Sequence, residues 1–158
     1  MPQTGDPSYD VRVDAFADLD PRTAYLLWQL RESVFVVEQQ CAYPELDGRD
    51  LEPGTRHVWT ASEQGPTGYL RILDEGDHAR IGRVLVVRSH RGRGLSGVLM
   101  RTALEVIGER PSRLDAQSPL ARWYTGFGYS QDGAEFVEDG IPHVPMSRRP
   151  PPRAPGGR

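Results

Sequence analysis

There is no lysine in this chain: all 19 basic residues among its 158 are arginine. A Walker-type phosphate loop is thereby excluded, since that loop needs a Lys to reach the phosphates. Cysteine occurs once, at Cys41, which rules out an intrachain disulfide and suggests no cysteine-based metal site. Long apolar runs are missing too. Nothing nears the length of a membrane span, and Met1–Asp10 does not read as a signal peptide, so a cytoplasmic protein with no membrane partner is expected. Acids outnumber arginines by 22 to 19, for a net charge of −3. No basic–aromatic interleaving occurs, which argues against a nucleic-acid surface. There is no internal repeat. The length fits one domain, read as residues 1–148, followed by a Pro/Gly/Arg-rich tail at 149–158 that is expected to be disordered.

What is present is concentrated in Ile81–Leu104. Val84-Leu85-Val86-Val87 is a short, β-branched apolar run and predicts a buried strand. Leu95, Val98, Leu99, Thr102 and Val106 recur three and four apart, like one face of a helix. Between them lies Arg91-Gly92-Arg93-Gly94-Leu95-Ser96-Gly97. Glycine lets a backbone approach a ligand closely, and the first turn of a helix offers unpaired N–H groups to an anion. From His78 to Leu104 there are six arginines (Arg80, Arg83, Arg88, Arg91, Arg93, Arg101) and no Asp or Glu. A basic island in an acidic chain, set on a strand–glycine–helix turn, predicts a cradle for a multiply charged anion.

The rest alternates strand and helix patterns. Residues 8–16 predict a first strand, with Tyr9, Val11 and Val13 on one side. Asp20-Pro21 is a helix start, Asp as cap and Pro at the first position, and apolar spacing carries that helix to about Val37. Cys41–Gly54 reads as a loop. His57–Ser62 and Gly68–Leu73 read as a hairpin about Glu63–Pro66. Beyond the central unit, Arg113–Ala116 and Gly128–Phe136 are strands on either side of a short helix at Pro119–Thr125. Ile141–Ser147 is a last strand, which Pro142 and Pro145 should confine to an edge or a bulge.

Two signatures fit the glycine turn. Gly92, Gly94 and Gly97 match G-x-G-x-x-G, with Asp115 placed as a ribose-binding acid would be. Against this dinucleotide reading, Arg88–Arg91 intervene after the strand, only one such unit occurs, and too little chain follows. The other is R-x-x-G-x-G/A: Arg91–Ser96 resembles the pyrophosphate loop of the GCN5-related N-acetyltransferases (GNAT), with Ser96 where that loop usually has Gly or Ala. Residues 113–129, RLDAQSPLARWYTGFGY, resemble a second signature segment of the same enzymes. LLWQLRESVFVVEQQCAYPELDGRD and FVEDGIPHVPMSR resemble a narrower, ElaA-like branch. The resemblance covers about residues 9–148. It implies a mixed, mostly antiparallel twisted sheet of six to seven strands flanked by helices. It further implies an acetyl-coenzyme A-dependent N-acetyltransferase, monomer or homodimer, that needs no metal and whose primary-amine acceptor attacks directly in a ternary complex.

The resemblance also distributes roles. Pantetheine would bond the backbone of Leu85, Val86 and Val87, which otherwise form a plain core strand. Arg91, Gly92, Arg93, Gly94, Leu95, Ser96 and Gly97 would hold the pyrophosphate, where the alternative is a structural glycine turn with solvated arginines. Tyr124 would lie by the coenzyme sulfur and return a proton to the thiolate; the alternative is a core aromatic beside Trp123 and Phe127. Gln117 would bond the coenzyme or cap the next helix. An ammonium acceptor must lose a proton before attack, and Glu38, Glu45, Asp47, Asp50, His57, Glu138 and His143 are all candidates to take it. Glu45, Asp47, Asp50 and Glu52 crowd one loop, either a solvated turn or an acidic lip for a cationic amine. The pattern Arg31…Phe35…Glu45-x-Asp47-x-x-Asp50 also resembles acyl-homoserine-lactone synthases, an alternative in which the product changes. A non-catalytic acyl-coenzyme A-binding module is the third reading.

Overall fold

A computed structural model describes residues 9–150; most of the tail expected at 149–158 lies outside the described residues. Eight strands form one sheet: β1 Arg12–Asp14, β2 Arg56–Ser62, β3 Gly65–Asp74, β4 Ala79–Val86, β5 Ser112–Gln117, β6 Ser130–Gln131, β7 Phe136–Glu138 and β8 Ile141–Arg148. The order is β1-β2-β3-β4-β5-β8-β6, with β7 also on β8. All pairings are antiparallel except β4–β5. That parallel junction exists because α2 (Leu95–Ile107) crosses over between the two strands.

α2 packs on one face of the sheet. Leu95, Leu99, Met100, Ala103 and Ile107 meet Leu70, Ile72, Ile81, Leu114 and Ala116 in the larger core. α1 (Pro21–Arg31) packs on the other, where Leu27 meets Tyr69 and Leu85. Its start is as predicted: the Asp20 carboxylate accepts from the Thr23 N–H at 2.9 Å, with Pro21 at the first position. Beyond Arg31 the helix widens into π-helical turns over Glu32–Glu38. Such insertions re-aim side chains and cluster at functional sites.

Two features set the site. First, β4 carries a bulge. Tyr69 pairs with Leu85 and Arg71 with Gly82, so Arg83 and Val84 together oppose Leu70, and Arg83 has a left-handed backbone (φ 56°). Second, β4 and β5 pair only at Ala79↔Ser112 and Arg80↔Arg113. A bulge bends its strand, and past this one the two strands diverge, opening a gap in the middle of the sheet.

The last strand departs from expectation. β8 is interior, with β5 on one side and β6 and β7 on the other. Both prolines nevertheless sit where no ladder bond is lost. The Pro145 carbonyl accepts from the Asp132 N–H on the outer side, so its blocked nitrogen also faces outward, between the end of β6 and the start of β7 pairing. Pro142 faces the β5 side, but β5 ends opposite His143. The strand expected at Gly128–Phe136 is broken into β6 and β7 by this same interruption.

Candidate active site

The glycine turn forms as a cradle. Gly92 and Gly94 both have left-handed backbones (φ 78°), and a Cβ at either would meet nothing within 4 Å. Glycine is therefore needed there for conformation, and the space above stays open. Gly94 caps α2 and no side chain caps that end, so the first-turn N–H groups of Leu95, Ser96 and Gly97 point outward unpaired within the helix. Gly97 has a different reason: a Cβ there would approach Arg101 Nη1 to 3.1 Å. The Arg101 guanidinium thus lies along the first turn, a contribution legible in the sequence only as the i, i+4 spacing of Gly97 and Arg101.

The basic island divides. Arg80 pairs with Asp115 (3.3 Å) and Arg83 with Glu45 (2.9 Å), both away from the turn. Arg91 donates Nε to the Val86 carbonyl at 2.9 Å and Nη2 to Glu38 at 2.9 Å, and Arg88 reaches the same Glu38 at 3.2 Å. Glu38 thus joins the π-helical turns to the loop. Its hydrogen bonds from Arg91, then Arg88, hold its carboxyl below the usual range, which removes it as a general base. Asp115, held by Arg80 on the α1 face, is not set for a ribose.

The gap supplies backbone groups, but at one residue of the three expected. The Val87 N–H donates to Thr67 O at 2.8 Å, which makes Val86↔Gly68 a narrow pair without mutual hydrogen bonds. The Val86 N–H and C=O therefore face away from β3; the carbonyl already accepts from Arg91 Nε, which leaves the N–H to the gap. Leu85 turns its groups to Tyr69 in β3, and the Val87 carbonyl accepts from the His90 N–H.

A cleft of about 510 Å³ occupies the space between the diverging strands, with Phe35, Gln39, Gln117, Tyr124, Glu138 and His143 on its walls. Two contacts bridge it. Gln117 Nε2 donates to Gln39 Oε1 at 3.4 Å, so Gln117 spans the gap rather than capping the next helix, and Cys41 Sγ donates to the Asp139 carbonyl at 3.5 Å. Tyr124, on the short helix α3 (Ala121–Thr125), is held edge-on by Trp123 at 4.9 Å and Tyr129 at 6.3 Å. It is buried, and burial pushes its phenol up to about 12. Its hydroxyl makes no hydrogen bond among the described residues, and the residue lines the cleft.

The acidic loop is not a lip. Fully buried Arg31 donates to Glu45 (2.9 Å) and Asp50 (2.7 Å) and lies over Trp28. Arg71 takes both oxygens of Asp47 at 2.9 Å and one of Asp50 at 3.2 Å. Tyr43 donates to Glu45 at 2.7 Å. Burial raises the Asp47 carboxyl, but hydrogen bonds from Arg71 and the Arg49 N–H outweigh it and bring the value down to about 2. Three acids against three arginines form a neutral network, buried at Arg31, Arg71, Glu45 and Asp50 and reaching the surface at Asp47 and Arg83, and Glu52 is matched by Arg49 at 3.0 Å. Glu45, Asp47 and Asp50 are thus corrected from base candidates to scaffold. So is the Arg31…Asp50 pattern, of which only Phe35 and Asp47 line the cleft. His57 is fully buried; its Nδ1 accepts from the Tyr69 hydroxyl at 2.6 Å while Nε2 donates to Asp50 O at 3.2 Å. Burial holds it neutral. Of seven candidates, Glu138 and His143 remain, both on the cleft wall. Among the described residues no three His, Cys, Asp or Glu cluster so as to hold a metal ion, and no helix is long and apolar enough to cross a membrane.

The chain is similar to known proteins in sequence and in fold. Residues 29–150 match the family described as "Acetyltransferase (GNAT) domain". The chain is 50% identical over 138 residues to the UPF0039 protein Rv2851c of Mycobacterium tuberculosis, covering 83% of this chain and 87% of that one. The crystal structure of Escherichia coli ElaA superposes with a TM-score of 0.84 at 34% identity, over 89% of this chain and 99% of ElaA. An acyl-CoA N-acyltransferase from Pseudomonas aeruginosa superposes equally well (TM-score 0.84, 37% identity, 88% of this chain and 99% of that one). A coenzyme A-dependent acyl-homoserine lactone synthase, BjaI, shares the fold alone (TM-score 0.72, 16% identity, 87% of this chain and 81% of that one). Signature loop, split sheet and these likenesses agree: the chain belongs to the GNAT superfamily, in its ElaA-like branch.

Proposed function

We propose that this protein transfers acetyl from acetyl-coenzyme A to a primary amine by direct attack in a ternary complex. The observation that carries the reading is the order of parts along β4: Val84 lines the cleft that Tyr124 also lines, the Val86 backbone faces away from β3, and the open glycine turn at Arg91–Gly97 follows on the α2 N-terminus. Pyrophosphate on the α2 N-terminus, with Arg93 and Arg101 beside it, fixes the coenzyme; Val86 aligns the pantetheine as an added strand would. The amine nitrogen attacks the thioester carbon, the C–N bond forms and the C–S bond breaks. Tyr124 gives its proton to the leaving thiolate, and the surplus proton on the amide nitrogen returns to the phenolate. The phenol, pushed up to about 12, is a weaker acid than a thiol at ~8.5, so it holds its proton until the C–S bond breaks, and the transfer to sulfur is drawn forward by the amide nitrogen's proton passing to the phenol oxygen in the same step. Cys41 has its thiol directed at backbone carbonyls, so no covalent relay is invoked.

Charge sorts the substrates. Glu138 and Asp139, at the β7–β8 turn, form no ion pair among the described residues, so they leave the acceptor side negative in place of the loop acids. A cationic amine and an anionic coenzyme are drawn to different ends. The test is titration calorimetry with acetyl-coenzyme A, followed by thiol-release assays on tyramine, spermidine and a lysine peptide. Binding with turnover of at least one amine is expected. Binding without turnover of any would leave an acyl-coenzyme A-binding module.

A further inference from the structure

The acid side of the reaction has Tyr124; the base side is unassigned, and the geometry points to His143 Nε2 as the group that takes the proton from the acceptor ammonium. This rests on the acyl-transfer reading above. His143 lies on β8 directly opposite Gln117 of β5 on one side and Phe136 of β7 on the other. Residues directly opposite in antiparallel strands share a face, so the imidazole stands in the same row as Gln117, which spans the gap to Gln39. Its ring is stacked on Phe136 at 5.6 Å and 18°, which fixes its plane.

The tautomer is fixed as well. Nδ1 lies 2.7 Å from the Ile141 carbonyl. A carbonyl only accepts, so Nδ1 carries the hydrogen and the neutral ring presents Nε2 as a bare acceptor. Nε2 has no hydrogen-bond partner among the described residues. Fully buried His57 differs on this point, because both its nitrogens are engaged.

The charged groups around His143 are accounted for. Across the cleft Arg71 and Arg83 are neutralised by Asp47 and Glu45, and on β4 and β5 Arg80 is paired with Asp115. Glu138 on β7 and Asp139 in the following turn are the unpaired acids on its own side. They favour an ammonium at the mouth and the imidazolium that forms on proton transfer. Tyr124 approaches from α3, on the α2 side of the sheet, whereas His143 stands on the α1 side. The gap between β4 and β5 lets both reach one thioester from opposite faces. The proton balance closes: R–NH₃⁺ gives one proton to Nε2 and becomes the nucleophile, Tyr124 cycles as above, and the imidazolium loses one proton to water.

The test is the pH dependence of H143Q. With acetyl-coenzyme A and whichever of tyramine, spermidine or a lysine peptide the parent acetylates, turnover should fall ~10²-fold or more near pH 7. It should converge on the parent as the pH nears the amine's own value of ~10, where the amine arrives deprotonated. Acetyl-coenzyme A affinity by calorimetry should not change. H143A with added imidazole guards against loss of the Phe136 stack: the small base should restore turnover near neutral pH. An equal deficit at every pH, no deficit, or no imidazole rescue overturns the assignment while leaving acetyl transfer intact. A parent that binds coenzyme and acetylates nothing overturns both.

Discussion

At the scale of single residues, two side chains carry opposite demands. In the proposed reaction Tyr124 keeps its proton until the thiolate leaves. With its phenol pushed up to about 12 by burial, it stays protonated across the working range and titrates only above it. Y124F keeps the ring against Trp123 and removes only the hydroxyl. Turnover should therefore fall ~10²-fold or more with coenzyme affinity unchanged, and unlike the H143Q deficit this one should persist at high pH. Asp47 must instead stay ionised. Its folded value of about 2 lies below the ordinary 3.8, so its stabilisation is complete above about pH 4 and disappears as pH falls toward 2. Urea midpoints measured from pH 7 to 2 should be level and then drop in that window. Arg31 is the more severe case. Arg31→Met leaves Glu45 and Asp50 buried with one fewer cation, and removing one partner of a buried pair costs about 3–5 kcal/mol, readable in the same urea titration. Neutralising Glu45, Asp47 and Asp50 together should unfold the chain rather than weaken its hold on an amine.

At the scale of elements, the β4–α2 unit is the decisive one. Gly94→Glu places a side chain on a left-handed backbone and a carboxylate before the first turn of α2. Acetyl-coenzyme A affinity should drop at least tenfold by calorimetry while the circular dichroism spectrum holds; equal affinity would remove the pyrophosphate from this turn. This unit was legible in the sequence because its determinants are local: glycines for conformation, an apolar strand before, helical spacing after. Tyr124 in the cleft was foreshadowed by the likeness of residues 113–129 to a family segment. What could not be read were pairings between distant residues. Nothing near Glu45 announces Arg31 or Arg83, so a matched ion network looked like an acidic loop. The alternation of hydrogen-bonding direction that singles out Val86 depends on register with Thr67 and Gly68. Pro142 and Pro145 looked like edge markers because the interruption that accommodates them lies in other strands.

At the scale of the whole molecule, two sheet halves meet at two residue pairs, Ala79↔Ser112 and Arg80↔Arg113, and beyond these they are bridged by side chains. A coenzyme lying between β4 and β5 would act as a splint. Saturation at ~100 times the dissociation constant stabilises by about 2.7 kcal/mol, so the melting temperature should climb with acetyl-coenzyme A. Amide exchange should slow most at Val86 and the first turn of α2, and a uniform slowing would argue against that placement. The arginine–carboxylate network bears on a different matter, descent. It ties α1, the loop after it, β3 and β4 into one set of matched charges. No single member can be exchanged for a neutral residue without stranding its neighbour, so drift at these positions is blocked one step at a time and open only to concerted change. Arg31, Glu45, Asp47, Asp50, Arg71 and Arg83 should therefore be inherited as a block, kept or replaced together, while the unpaired acids at the β7–β8 turn are under no such constraint and free to vary.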